Sequence, residues 1–302
     1  MSFNNFVFAL ATDSSGNLYV GGAFTTANGT ASSRIAKWNG TAWEYPFGSG
    51  MNGNVYALAF DSNDNLYVGG GFRTANGTTS SRIAKWNGTA WEYPFGSGMN
   101  RDVYALAVDS NDNLYVGGQH TTANGTSSSR IAKWNGTAWE YPFGSGMNNT
   151  VYALAVDSND NLYVGGRFTT ANGTTSNKIA KWNGTAWEYP FGSGMNNTVY
   201  ALAVDSNDNL YVGGRFTTAN GTASNYIVKW NGTAWEYPFG SGMNGDVRAL
   251  AFDSNNNLYV GGIFTTAGGI DALRTAKWNG SSWEKWIDVD STVFAIRITD
   301  PK

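Results

Sequence analysis

Short apolar runs punctuate this chain at regular intervals. Val55-Tyr56-Ala57-Leu58-Ala59-Phe60 is followed by Leu66-Tyr67-Val68, then by Ile83-Ala84-Lys85-Trp86, then by Trp91-Glu92-Tyr93. Each run is rich in Val, Leu, Tyr, Phe and Trp and is bounded by Asn, Asp, Gly and Ser, which is how half-buried strands read. No stretch has a helical period with caps, so no helix is expected. The pattern predicts four strands per unit: Val55–Phe60, 66–72, 81–86 and 90–95.

The unit repeats. Asn-Leu-Tyr-Val-Gly-Gly begins at Asn17, Asn65, Asn113, Asn161, Asn209 and Asn257, a spacing of 48 residues every time. Lys-Trp-Asn-Gly recurs in step from Lys37 to Lys277. Repetition at this period outranks any single-segment reading. Six units fill nearly all 302 residues, with expected boundaries at 6–53, 54–101, 102–149, 150–197, 198–245 and 246–288, in one propeller domain over 1–302.

Turn chemistry orders the strands. The link over 61–65 reads as a tight hairpin whose fourth position, Gly16 in the first copy and Asp64 in the second, suits the left-handed region. Asn87-Gly88 reads as a two-residue type I′ turn. That register would set Trp86 against Thr89, Ala84 against Trp91 and Arg82 against Tyr93 on one face. Trp86 and Trp91 would be diagonal neighbours with Arg82 lying on them, and Tyr226 would face Tyr237 in the fifth copy. On the other face Lys85 and Glu92 would be diagonal. Pro94 lacks an N–H and belongs on a sheet edge, so the fourth strand is outermost and the first innermost.

Four-stranded units of this length, repeated radially, predict an all-β, six-bladed β-propeller with four antiparallel strands per blade. The order Val-Tyr-Ala-Leu-Ala-Val-Asp, Leu-Tyr-Val-Gly-Gly, Ile-Ala-Lys-Trp-Asn resembles the WD-repeat pattern, with Trp-Asn where Trp-Asp is usual. The Gly-His pair of that family is absent, so its Asp–His network does not carry over. The chain looks most like the highly repetitive delta-sixty-type bacterial propellers, whose blades resemble recent copies of one another. In repeat length and aromatic content it is also similar to tachylectin-type lectin propellers. The resemblance covers all six units and implies the fold; propellers host enzymes, lectins and scaffolds alike.

The C-terminus departs from the pattern. Val293-Phe294-Ala295-Ile296-Arg297-Ile298 is a seventh copy of the first strand, within an extra strand and tail over 289–302. It is expected to fold back on 283–288 as a fifth, edge-capping strand. The alternative is that it replaces or pairs with an N-terminal strand, within one chain or between two.

Composition removes several function classes. There is no Cys, hence no disulfide framework or thiolate metal site, and the single His gives no multi-His zinc site. A net charge of −3 argues against a nucleic-acid partner. No apolar run approaches the length of a membrane span, and the N-terminal residues do not read as a signal peptide. Compartment stays open.

The first–second and third–fourth links fall at one end of the blades, and the longer second–third and fourth–first loops at the other. Differences between copies gather at the loop end: Ala23, Gly71, Gln119, Arg167, Arg215 and Ile263 share one site, and 53–54, 101–102, 149–150, 197–198 and 245–246 another. Loops tolerate change, but a diversified ligand surface is the competing reading. Asp61, Asn63 and Asn65 alternate like calcium-loop ligands without the rest of that motif and read as a hairpin. His120 stands where other copies have Phe24, Phe72, Phe168, Phe216 and Phe264, and reads as drift at a packing position. The glutamates, one per blade, are spaced too widely to act as a glycosidase pair, so neither an enzyme nor a cofactor is expected.

Two functions compete. One is a multivalent glycan-binding propeller using Phe24, Asn28, Asn52, Tyr56, Phe72, Asn76, Asn100, Tyr104, Gln119, Asn124, Asn148, Arg167, Asn172, Asn196, Arg215 and Asn220 at the loop end. The other is a structural, adhesion or protein-interaction scaffold. Glycans or a protein surface are the expected partners, and the chain is expected to be a monomer, with a strand-exchanged oligomer as the alternative.

Overall fold

The computed structural model describes residues 2–298; residues 299–302 of the expected tail lie outside them. The described residues form a six-bladed, all-β propeller without helices, each blade a four-stranded antiparallel sheet whose strands lie side by side in chain order. The blades fall into two compact units, Met1–Gly146 and Met147–Lys302, with three blades each. The second blade is representative: Val55–Phe60, Leu66–Gly70, Ile83–Trp86 and Trp91–Glu92.

The strands are shorter than the apolar pattern suggests. After Gly70 the chain turns into a two-residue-by-two-residue hairpin, Thr74–Ala75 with Thr78–Thr79, where an irregular loop was expected. Ala75 also bridges to Met51 of the preceding loop. This stitches the loop end of one blade to the next.

The expected register at Asn87-Gly88 is wrong. Trp86 lies directly opposite Trp91, and Lys85 opposite Glu92, around a four-residue turn. The cause is the Asn87 side chain. Its Oδ1 accepts from the N–H groups of Thr89 and Ala90 at 3.0 and 2.8 Å and its Nδ2 donates to Glu92. An Asx turn thus displaces the type I′ turn. The directly opposed Lys85 and Glu92 pair at 3.1 Å. Arg82 does not lie on the tryptophans: its backbone is left-handed (φ 70°), and Nη1 donates at 2.9 Å to Met99 O in the loop that leads to the next blade. Tyr226 takes the same backbone (φ 68°), and Tyr237 donates to Ala219 O, so the expected Tyr226–Tyr237 pair is not made. The hairpin over 61–65 does hold: Asp64 has φ 58°, and Asp61 Oδ1 accepts from the N–H groups of Asn63 and Asn65.

Within each unit the core lies between blades. Tyr19, Ile35, Phe47 and Met51 of the first blade pack on Val55, Leu66, Val68, Phe72 and Trp86 of the second. Each fully buried Leu or Phe contributes roughly 2–3 kcal/mol. Phe47 wedges against Trp86 and Trp91 at 5.3 and 5.8 Å, and Trp91 Nε1 donates to Phe47 O at 3.2 Å. Gly69 lets the next blade close in: a Cβ there would come within 2.5 Å of Val103 Cγ1.

The C-terminal segment is neither an edge cap nor a strand. Residues 289–298 bend at 290–291 and form no ladder; Val293 N donates to Gly262 O at 3.3 Å. Val293 and Ile296 lie over Gly261 as Val247 and Leu250 lie over Gly213. Trp286 packs edge-on to Tyr259, the place that Phe239 takes beside Tyr211. The tail copies the contacts of a following blade on the face of blade six.

Candidate functional site

Every first strand carries a bulge at its second residue. Val55 pairs with Gly70 and Ala57 with Gly69, which leaves Tyr56 out of the ladder. A bulge re-aims its side chain. In the first unit it brings Phe8, Tyr56 and Tyr104 into a row, with ring centroids 5.4 and 5.1 Å apart. Asn54 Nδ2 donates to the Tyr56 hydroxyl at 3.1 Å. In the second unit Tyr152 and Tyr200 stand 5.6 Å apart, and the Arg248 guanidinium lies 4.2 Å above Tyr200 and 5.8 Å from Phe294.

Charge gathers beside these rows. Asp246 accepts from Arg215 Nε and Nη2 and from Arg248 Nη2, all within 3.1 Å. The Asp246 hydrogen bonds push the Arg215 pKa up further. The Arg215 side chain stays 53% exposed while that of Asp246 is 10% exposed, so the cation is the group presented to solvent. Burial, followed by the Arg167 charge, lowers the Lys178 pKa. Where Tyr226 replaces the arginine or lysine of the other copies, a groove of about 310 Å³ opens, lined by Thr217, Asn225, Tyr226, Met243, Asn244 and Thr266.

The two ends of the blades differ in charge. At the loop end the first unit carries Arg34, Arg73, Arg82, Arg101 and Arg130 against Asp102. The second carries Arg167, Lys178, Arg215, Arg248 and Arg274 against Asp246 and Asp271. At the turn end lie Asp13, Asp61, Asp64, Asp109 and Asp112 in the first unit, and Asp157, Asp160, Asp205, Asp208 and Asp253 in the second. The Lys and Glu of the third and fourth strands neutralise each other at 2.8–3.6 Å.

Several expected ligand residues have other duties. Phe24 and Phe72 are wholly buried and cannot serve as sugar platforms; their rings fill the space between sheet and hairpin. Asn52, Asn100, Asn148 and Asn196 each cap two backbone N–H groups, those of Arg73 and Thr74 for Asn52 at 2.7 and 3.0 Å. Asn28, Asn76, Asn124, Asn172 and Asn220 hold left-handed positions at φ 45–48°. Asn76, Asn124 and Asn220 accept from Ser49, Ser97 and Ser193 N. Tyr56 and Tyr104 stand in a row, Arg215 lies beside one through Asp246, and Gln119 and Arg167 lie at the loop end. Asp102 and Asp246, marked in the sequence only as variable positions, join them, as do Tyr200 and Arg248, which were missed although Arg248 is the one charged residue among the copies of Tyr56. His120 is wholly buried at its phenylalanine position, neither nitrogen has a hydrogen-bond partner, and burial, followed by the Arg130 charge, pushes its pKa down to about 3.

Bladed sheets in chain order, a core between blades and bulged inner strands define a β-propeller of WD-like architecture. The chain belongs to the Rax2 C-terminal beta propeller domain family, whose profile matches residues 3–144 and 183–300; a two component regulator propeller profile matches 145–168. No curated protein sequence matches it. Among solved structures it is similar to the extracellular domain of the hybrid two component system BT4673 from B. thetaiotaomicron, with TM-score 0.64 and 16% identity over 97% of this chain and 35% of that one. This chain thus spans about a third of that domain. The WD40 beta propeller domain of Doa1 (TM-score 0.63, 15% identity, 98% and 87% of the two chains) and YCF48 bound to D1 peptide (0.55, 12%, 94% and 83%) share the fold.

Proposed function

We propose that this propeller is a non-catalytic binding scaffold that takes an acidic, extended segment of a protein partner across the loop ends of its blades. The separation of charge along the strands carries the reading. In a chain of net charge −3, each unit exposes arginines at one end, Arg73 and Arg101 in the first and Arg167 and Arg215 in the second, and carries aspartates at the other. Arginine recognises carboxylates bidentately, and the neighbouring tyrosines supply rigid contact area. Such complementarity sets association rate and partner choice. That YCF48, a protein of the same fold, is bound to a peptide supports a peptide ligand. One identical glycan site per blade is the weaker reading, because Phe24 and Phe72 are buried and the asparagines already hold backbone groups.

Selection of displayed peptides on the purified chain tests this. Acidic sequences should be enriched, their affinity should fall as salt rises, and Arg215→Ala or Arg248→Ala should weaken them about tenfold or more. Enrichment of neutral or basic peptides, or binding indifferent to salt, would refute it.

A further inference from the structure

Among the differences of blade six from the other five, one group meets at a single place in the fold. In the other copies the second–third hairpin reads Asn-Gly-Thr, and its asparagine side chain lies against the fourth–first loop of the preceding blade, where a Cβ on Gly96 or Gly192 would overlap it. In blade six the hairpin reads Gly268-Gly269-Ile270, and the third–fourth turn reads Ser281-Ser282 in place of Thr-Ala. All these changes except Gly269, which keeps the glycine of the other copies, meet in one opening. Gly268, Ile270, Ser281 and Ser282 line a cavity of about 300 Å³ together with Phe239, Trp278 and Trp283. With the asparagine gone, a Cβ on Gly240 would find only Gly268 Cα, at 4.0 Å. The backbone is undisturbed: Gly268 N donates to Gly242 O at 2.7 Å, as Asn76 N does to Gly50 O at 2.8 Å.

We infer that this cavity is a binding site for one pyranose ring of a neutral glycan. Of the lining rings Phe239 and Trp278 are buried, which leaves the half-buried Trp283 as the stacking surface, beside two serine hydroxyls and no charged side chain. A sugar ring has the matching chemistry: an apolar C–H face to stack on an aromatic ring, and hydroxyls at its edge for serine and backbone groups. The volume is at the lower end of the range for small-molecule pockets, which suits a single ring. Trp283 is held in place by its indole N–H, which donates to Phe239 O at 3.2 Å. Ser281 Oγ and Ser282 Oγ bond Asn279 at 2.9 and 3.1 Å, and each hydroxyl keeps acceptor capacity for a ligand. The site is distinct from the basic loop-end surface and stands whether or not that surface binds an acidic partner.

The repeat supplies its own control. Gly268→Asn restores the sequence of the other five blades at a backbone position, φ 54°, close to the 45–48° their asparagines adopt. The side chain displaces the Trp283 ring and refills the opening. The probes are D-glucose, D-galactose, D-mannose and the N-acetylhexosamines GlcNAc and GalNAc, read by saturation-transfer NMR and calorimetry on the full chain. One sugar should bind with one site per chain, and Gly268→Asn should weaken it about tenfold or more. As a second arm, Asn220→Gly with Thr222→Ile and Ala234→Ser rebuilds the opening in blade five and should give two sites per chain. No binding by any probe, a stoichiometry near six, or binding unchanged by Gly268→Asn in a folded protein would overturn the inference.

Discussion

Replacing His120 by phenylalanine tests how the copies constrain one another. The imidazole fills a space that holds a wholly buried phenyl ring in the other five blades, so the variant introduces no overpacking. Both ring nitrogens are buried without partners. Relieving such groups is worth about 1–3 kcal/mol at neutral pH. Acid widens the gap. The imidazole has a pKa of 6.5 when unfolded and about 3 when folded. Between these values the unfolded chain binds the extra proton, so this contribution to stability is complete above pH 6.5 and is lost as pH falls towards 3. At pH 4.5, two units below the unfolded value, the loss is about 3 kcal/mol. His120→Phe removes that titration and leaves every carboxylate in place, so the difference between the two proteins isolates it. Urea unfolding followed by tryptophan fluorescence at pH 8, 6 and 4.5 gives the measurement. The advantage of the variant should grow from about 1–3 kcal/mol at pH 8 to about 4–6 kcal/mol at pH 4.5. A difference that stays constant with pH would refute the buried, unprotonated imidazole.

Further outcomes follow from the contacts between neighbouring elements. Gly69→Ala drives a methyl group to 2.5 Å from Val103 Cγ1 and 3.3 Å from Leu106, and should cost about 1–3 kcal/mol by urea unfolding. Asn52→Ala leaves the N–H groups of Arg73 and Thr74 without their side-chain acceptor; hydrogen exchange at these two amides should quicken, with about 1 kcal/mol lost overall. Lys85→Ala should change stability by less than about 1 kcal/mol, because the partly exposed pair with Glu92 is screened by water.

The period, the strand order and the innermost and outermost strands were all readable in the sequence, because apolar runs bounded by turn residues repeat without a gap. The register at Asn87-Gly88 was not. The pair favours a two-residue turn locally, but the Asn87 side chain has Thr89, Ala90 and Glu92 within reach, and these bonds win. The burial of Phe24 and Phe72 was hidden because the hairpin that covers this position consists of two-residue strands with no apolar pattern of their own. The bulge at Tyr56 leaves no signature either, since it depends on pairing with the two glycines Gly69 and Gly70. Two signals were present and unread. Arginines cluster near one set of links and aspartates near the other, and blade six alone lacks the hairpin asparagine.

The tryptophan pairs give this molecule an optical signature. Six indole pairs, each spanning the third–fourth turn of its blade, sit 5.2–5.5 Å apart at similar tilts, from 56° to 66°. Transitions this close couple, and pairs of near-equal spacing and tilt on the same repeated turn should give circular dichroism bands that add. The indole N–H resonances report something different. Those of Trp91, Trp139, Trp235 and Trp283 are tied to a carbonyl of the preceding blade. An exciton band therefore follows the closing of individual blades, and slowly exchanging indole protons follow their stacking. The order of these two events can be timed in the unlabelled protein.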